Sequence, residues 1–146
     1  MIADVIDRMI SGSSHARYDH KSRPTQVEVR CPACGAKCEA RKESEIGFSK
    51  ISSDLLGTWH TDDWQFTCST CVRKRENLSY DDLPSLFYDD GQFWAWNTEH
   101  LLAVEAYLKG DLERENEYMW FMSYLEKGWL KERSSTLKAI ERMKNL

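Results

Sequence analysis

No run of about 18 consecutive apolar residues occurs in the 146-residue chain, so no segment is suited to cross a bilayer as a helix. The first ten residues, MIADVIDRMI, set Asp4, Asp7 and Arg8 among their apolar positions, which does not fit a secretory leader. A Gly-rich phosphate loop, a nucleophile elbow and a His-Glu-x-x-His helix are all lacking, which removes the usual local signatures of phosphoryl, acyl and metalloprotease chemistry. Internal repeats and low-complexity tracts are absent too. Cysteine is sparse and odd in number: the five fall as two close pairs plus one, a pattern that suits metal binding better than a secreted disulfide framework. A chain of this size buries about two thirds of its unfolded surface and needs no covalent staples. These features lead to the expectation of a soluble protein of a reducing, cytoplasmic compartment, with no membrane partner.

A basic excess is also missing. The formal net charge is −4, from 24 acidic and 20 basic residues, and it is unevenly spread. Residues 1–75 carry 12 basic and 10 acidic groups, residues 76–126 carry 2 and 12, and residues 127–146 carry 6 and 2. A domain that lives on phosphate normally shows a clear positive excess, and the acidic middle would repel DNA.

Along the chain, Ile2, Val5, Ile6, Met9 and Ile10 recur at helical spacing and predict a short amphipathic helix. Alone it is too short to be stable in water, so it docks on the rest of the chain or pairs with a second copy to make a dimer. Residues 11–24 read as a polar linker carrying His15, Arg17, His20, Lys21 and Arg23. Gln26-Val27-Glu28-Val29-Arg30 alternates as a half-buried strand does and runs into Cys31-Pro32-Ala33-Cys34-Gly35. A second short stretch follows at residues 36–40, whereas residues 41–57 give no clean period. Trp64-Gln65-Phe66-Thr67 alternates again and runs into Cys68-Ser69-Thr70-Cys71.

Two Cys-x-x-Cys turns, each fed by a strand, are the strongest chemical signal. Such a turn points two thiolates at one centre while backbone amides donate to the sulfurs, and two turns together make a closed four-sulfur site of the kind zinc takes structurally. The predicted ligands of one structural zinc ion are Cys31, Cys34, Cys68 and Cys71. Iron is chemically compatible with the same four thiolates. Cys38 and His60 are alternative ligands, read here as a spare thiol packed nearby and a hydrogen-bonded loop histidine. Four thiolates on a divalent ion leave a formal −2, which Arg30, Lys37, Arg73, Lys74 and Arg75 offset. Arg73, Lys74 and Arg75, with Lys138 and Arg142 of the last helix, are equally the candidate contacts for a nucleic acid or a protein partner. A thioredoxin-like redox site uses one such pair beside a βαβ pattern, and neither condition is met.

Residues 29–35 and 66–71 resemble the paired knuckles of zinc-ribbon proteins, whose first half is often C-P-x-C-G. The resemblance covers roughly residues 25–75 and implies a metal-held ribbon, with no activity attached. Beyond it, Trp94-Ala95-Trp96-Asn97-x-x-His100-Leu101 and a basic C-terminal helix are similar to uncharacterised bacterial ribbon proteins.

The second half is rich in aromatic residues. Ser85-Leu86-Phe87-Tyr88 and Gln92-Phe93-Trp94-Ala95-Trp96 flank Asp89-Asp90-Gly91, a hairpin signal. Asn97 or Thr98 caps a helix ending at Gly110, with Leu101, Leu102, Val104, Ala106 and Leu108 on its apolar positions. Asp111 is the expected cap of a second helix running to Gly128, and Ser134 or Ser135 of a third with Leu137, Ile140 and Met143 inward. The aromatics lack the interleaved Lys and Arg of base-stacking surfaces and are assigned chiefly to the core. His100 and Glu99, with Asp89, Asp90 and Glu105, form an acid/base cluster in sequence only. A capping or packing histidine is the simpler reading.

The sequence therefore predicts an α+β protein: N-terminal helix and linker (1–24), zinc ribbon (25–80), and an aromatic hairpin with about three helices (81–146). The expected function is that of a non-enzymatic, zinc-stabilised accessory acting through a protein partner. Nucleic-acid binding through the ribbon and an open-site metalloenzyme are the rival readings.

Overall fold

A computed structural model describes residues 22–43, 51–53, 59, 61–124 and 127–146. The predicted N-terminal helix lies outside them. The fold is α+β. Four antiparallel strands form the main sheet in the order β2 (Gln26–Arg30), β3 (Lys37–Lys42), β5 (Trp64–Thr67), β6 (Lys74–Leu78). β1 (Ser22–Pro24) pairs with β4 (Ile51–Ser53), and β7 (Tyr88–Asp89) with β8 (Trp94–Ala95). Three α-helices follow: α1 (Thr98–Leu108), α2 (Lys127–Lys131) and α3 (Arg133–Lys144), with a 3-10 segment at Glu117–Tyr124 between the first two.

The period-2 patterns place β2 and β5 at their predicted bounds. One face of the sheet buries Val27, Val29, Cys38, Ala40, Trp64 and Phe66, while Glu28, Lys37, Glu39, Arg41 and Gln65 stand on the other. β6 escaped prediction, since Lys-Arg-Glu-Asn-Leu has no apolar alternation. It is an edge strand exposed except at Leu78, and it is kept in place by its pairing with β5. That pairing is irregular between Trp64 and Phe66, where Asn77 sits at φ +57°.

The opposite edge is sealed. Residues 26, 28 and 30 turn their backbone groups away from β3, and four consecutive ones, from the Gln26 carbonyl to the Arg30 amide, are paired. The Glu28 amide donates to the Trp96 carbonyl (2.7 Å), the Phe87 amide to the Glu28 carbonyl (2.9 Å), and the Arg30 amide to the Ser85 carbonyl (2.9 Å). The Asn97 side chain donates to the Gln26 carbonyl at 2.8 Å. Residues 85–87, expected as the first hairpin strand, are thus spent on the β2 edge, and only Tyr88–Asp89 is left to pair with Trp94–Ala95. Asp90 Oδ1 caps the intervening loop by accepting from the amides of Gln92 and Phe93.

At the base of the long insertion between β3 and β5, the Glu43 amide bonds the Asp63 carbonyl (2.8 Å) and the buried Lys42 ammonium meets the Asp63 carboxylate at 2.6 Å. Trp59 and Trp64 lock the same region: the Trp59 indole donates to the Pro24 carbonyl and the Trp64 indole to the Trp59 carbonyl, both at 2.7 Å. With Tyr80 they form one aromatic cluster, centroids 3.8–5.7 Å apart.

Asn97 caps α1 by accepting from the His100 amide (2.8 Å), and the Glu28 carboxylate adds to the same end by accepting from the Thr98 hydroxyl at 2.7 Å. α1 buries His100, Leu101, Ala103, Val104 and Leu108, whereas Leu102 is 44% exposed, so its apolar stripe is narrower than the sequence suggested. Asp111 caps no helix. Residues 111–116 form no helix, and Asn116 starts the 3-10 segment instead, its Oδ1 accepting from the Tyr118 amide. Ser134 and Ser135 lie within α3. Its first turn follows Glu132, and Thr136 bonds the carbonyls of Glu132 (3.0 Å) and Trp129 (3.2 Å), which ties α3 to α2.

His100 sits in a second aromatic cluster, stacked on Tyr118 (5.2 Å) and flanked by Trp94, Trp96 and Phe121. Its Nδ1 accepts from the Trp96 amide at 3.1 Å. Burial lowers its pKa to about 3, so the imidazole is neutral. Between pH 6.5 and about 3 the unfolded chain therefore binds a proton that the native chain refuses, and stability falls as pH falls through that window, by up to about 1.4 kcal/mol per pH unit. His100→Asn, which keeps an acceptor near the Nδ1 position, should be less stable at pH 7.5 but lose less between pH 6.5 and 4.5. Paired urea titrations read by tryptophan fluorescence measure the difference, with contributions common to both proteins cancelling. Parallel pH profiles would contradict the assignment.

Candidate metal centre

Each Cys-x-x-Cys turn closes with a short backbone ladder. In the first, the Cys31 amide donates to the Ala36 carbonyl (2.8 Å) and the Gly35 amide to the Cys31 carbonyl (2.9 Å); in the second, the Cys68 amide donates to the Arg73 carbonyl (2.8 Å). β2 and β5, one strand apart through β3, deliver the two turns to the same end of the sheet. The sulfurs of Cys31, Cys34, Cys68 and Cys71 all lie within 4.8 Å of one another. Across the two knuckles, Cys31 Sγ is 3.6 Å from Cys71 Sγ and Cys34 Sγ is 3.5 Å from Cys68 Sγ. A tetrahedron with metal–sulfur bonds of about 2.3 Å has edges of about 3.8 Å. The four thiols cluster at distances compatible with a tetrahedral thiolate site for a metal ion.

The local amides favour the charged form at the first cysteine of each knuckle. The Cys71 amide, ahead of other donors, lowers the Cys68 thiol to about 6, and the Cys34 amide does the same in direction for Cys31. At Cys34 the Ala36 amide acts in the same sense, but the Cys68 sulfur and burial outweigh it and push the thiol up to about 12. This is the expected behaviour of crowded sulfurs that share negative charge, which a divalent cation relieves.

Cys38 is buried and is not one of the four; its Sγ lies 3.8 Å from the Ala36 carbonyl, and burial, with the Cys68 and Cys31 sulfurs, pushes its thiol up to about 12. His60 lies outside the described residues. The cations named from sequence divide into two groups. Arg30 bonds the carbonyls of Gly35 (3.2 Å) and Phe87 (3.3 Å) and covers the Phe87 ring, Lys37 pairs with Glu28 at 3.3 Å, and Lys74 with Glu76 at 2.8 Å. Arg73 and Arg75 are exposed and make no ion pair among the described residues. Lys138 and Arg142 are exposed on α3, away from the knuckles in sequence, and Arg142 reaches Asp90 at 3.9 Å. The acid/base set of Glu99, His100, Asp89, Asp90 and Glu105 does not assemble into a site. His100 is enclosed by aromatic rings, Asp89 and Asp90 serve their own loop, and Glu105 pairs with Lys144 (2.9 Å).

The residue after each knuckle's second cysteine adopts positive φ: Gly35 at +75° and Val72 at +61°. The Val72 conformation is the feature that sequence reasoning missed. Its signal was the contrast of Gly and Val at matching places in two otherwise similar turns.

The chain matches no protein-family model, no curated protein and no solved structure. Among the described residues no helix is long and apolar enough to cross a membrane.

A β-branched residue held at positive φ costs on the order of 1–2 kcal/mol, and Val72 is 84% exposed, so little packing offsets it. Val72→Gly should therefore raise stability by about 1 kcal/mol. Gly35→Ala, whose new Cβ would meet nothing within 4 Å, should lower it by about as much through the backbone alone. Denaturant midpoints of the two variants and the parent, all metal-loaded, decide the matter. Equal effects of the same sign would contradict it.

Proposed function

We propose that Cys31, Cys34, Cys68 and Cys71 hold one structural zinc ion and that the domain it organises is a binding module acting on a protein partner. The observation that carries this reading is the donor set: four protein sulfurs at tetrahedral spacing fill every position of a structural zinc site and leave none for water or substrate. An ion so enclosed supplies folding energy and rigidity. The large aromatics do not compete for the role of ligand-stacking surface, since Trp59, Trp64, Trp94, Trp96 and Phe121 are spent in the core. What the fold presents outward is charge and a few apolar residues, which suits recognition of another macromolecule. Purified under reducing conditions, the protein should carry one zinc per chain, with its thiols protected until a chelator and denaturant release all five. Absence of metal together with five freely reactive thiols would overturn the reading.

A second reading has its own observation. Arg73 and Arg75 carry no ion pair among the described residues and follow the exposed knuckle tip at Val72, as phosphate contacts would. It predicts retention on duplex or single-stranded oligonucleotides that weakens steeply from 50 to 200 mM salt, with a smaller salt slope in Arg73→Gln/Arg75→Gln. No retention at 50 mM salt leaves the protein-partner reading.

A further inference from the structure

Among the described residues the acidic middle of the chain is only partly neutralised. Glu105 is taken by Lys109 (3.6 Å) and Lys144 (2.9 Å), Asp90 by Arg142 (3.9 Å), and Glu76 by Lys74 (2.8 Å). Asp111, Glu113, Glu115 and Glu117 have no ion pair among the described residues, and Arg114 is the one cation in that stretch. This uncompensated charge borders an apolar floor. Leu102 and Ala106, four residues apart on the outer stripe of α1, and Leu112 beyond its end line a groove of about 440 Å³, with Glu99, Glu115 and Glu117 on its walls. Leu102 is 44% exposed, the most exposed of the large hydrophobic side chains on α1.

An apolar strip walled by carboxylates has a complementary ligand: an amphipathic helix with leucine-like anchors at i, i+3, i+4 and i+7 and lysine or arginine at its margins. From this charge complementarity, and on the basis of the protein-partner reading above, we infer that the groove between α1 and residues 112–117 is the docking site for a basic amphipathic helix of a partner protein. The anchors would cover Leu102, Ala106 and Leu112, and the flanking cations would meet Glu115 and Glu117. The knuckles take no part, so the groove places the partner on the helical half while the metal fixes the sheet.

The probe is a synthetic 18-residue peptide with leucine at the anchor positions and lysine elsewhere, together with its glutamate-for-lysine counterpart, titrated into the zinc-loaded full chain by calorimetry at 150 mM salt. The lysine peptide is expected to bind and the glutamate peptide not to. Glu115→Lys/Glu117→Lys should weaken binding at least about tenfold. Leu102→Glu separates a groove from diffuse attraction: it adds negative charge but removes the floor, and it too should weaken binding about tenfold. Unchanged or tighter binding by Leu102→Glu, or no binding by the parent, overturns the inference. So does a dimer in sedimentation that Leu102→Glu dissociates, because the groove would then belong to a second copy. A photo-crosslinking residue at position 102 and another at position 73, introduced in cells, keep the two levels apart. Protein adducts at 73 but not 102 reject the groove and spare the protein-partner reading. Adducts at neither reject both.

Discussion

The outer edge of β2 is the seam on which the molecule depends. A strand at the edge of a sheet offers a row of unpaired amides and carbonyls, and a buried one must have them satisfied. Here four consecutive outward groups of β2 are taken by Ser85, Phe87, Trp96 and Asn97, all from the second half of the chain. Because hydrogen-bonding and side-chain positions alternate strictly along a strand, this seam fixes the hairpin, and through Asn97 it also fixes where α1 begins. Asn97 joins the two events in one side chain: its amide nitrogen reaches the Gln26 carbonyl while its oxygen caps the helix at the His100 amide. The aromatic cluster around His100 then packs against elements whose positions the seam has set.

The same strand leads directly into Cys31. The Arg30 guanidinium bridges the two regions, holding the Gly35 carbonyl of the knuckle and the Phe87 carbonyl of the seam while lying 4.6 Å from the Phe87 ring. Beside it the Glu28 carboxylate faces Lys37, the knuckle-side end of β3, and the Thr98 hydroxyl at the start of α1. Charge near the four sulfurs is thereby organised in two ways: Arg30 and Lys37 are committed to structure, and Arg73 and Arg75 are left in solvent. A divalent ion held by four thiolates would carry −2 and would gain from all four cations, of which Arg73 and Arg75 make no ion pair among the described residues.

Much of this was legible in the sequence, for identifiable reasons. β2 and β5 were readable because one face is buried and period-2 alternation reports that directly, and the cysteine spacing pointed to the four sulfurs that cluster because each Cys-x-x-Cys turn is local. What stayed hidden depended on tertiary contacts. β6 has no pattern of its own and exists by pairing with β5. Residues 85–87 read as a hairpin strand, and they do extend, but their partner is a strand some sixty residues earlier that no local signal names. Asp111 has the chemistry of a cap, yet the helix does not form there and the Asn116 side chain starts the 3-10 segment in its place. Leu102 fits an apolar helical pattern, and no sequence rule says that it will stand 44% exposed among the described residues.

The two knuckles show how unequal magnitudes settle a local conflict. Both turns adopt left-handed backbone after the second cysteine. Gly35 does so without a steric penalty, whereas Val72 does so against a cost on the order of 1–2 kcal/mol. Coordination of zinc by a structural site in zinc-finger peptides contributes about 10 kcal/mol or more near neutral pH, several times larger. With a metal of that affinity bound, the second turn is held in its geometry whatever residue stands at position 72. Stability then exerts little demand for glycine there, and the side chain that projects from the tip is free to be set by what it meets.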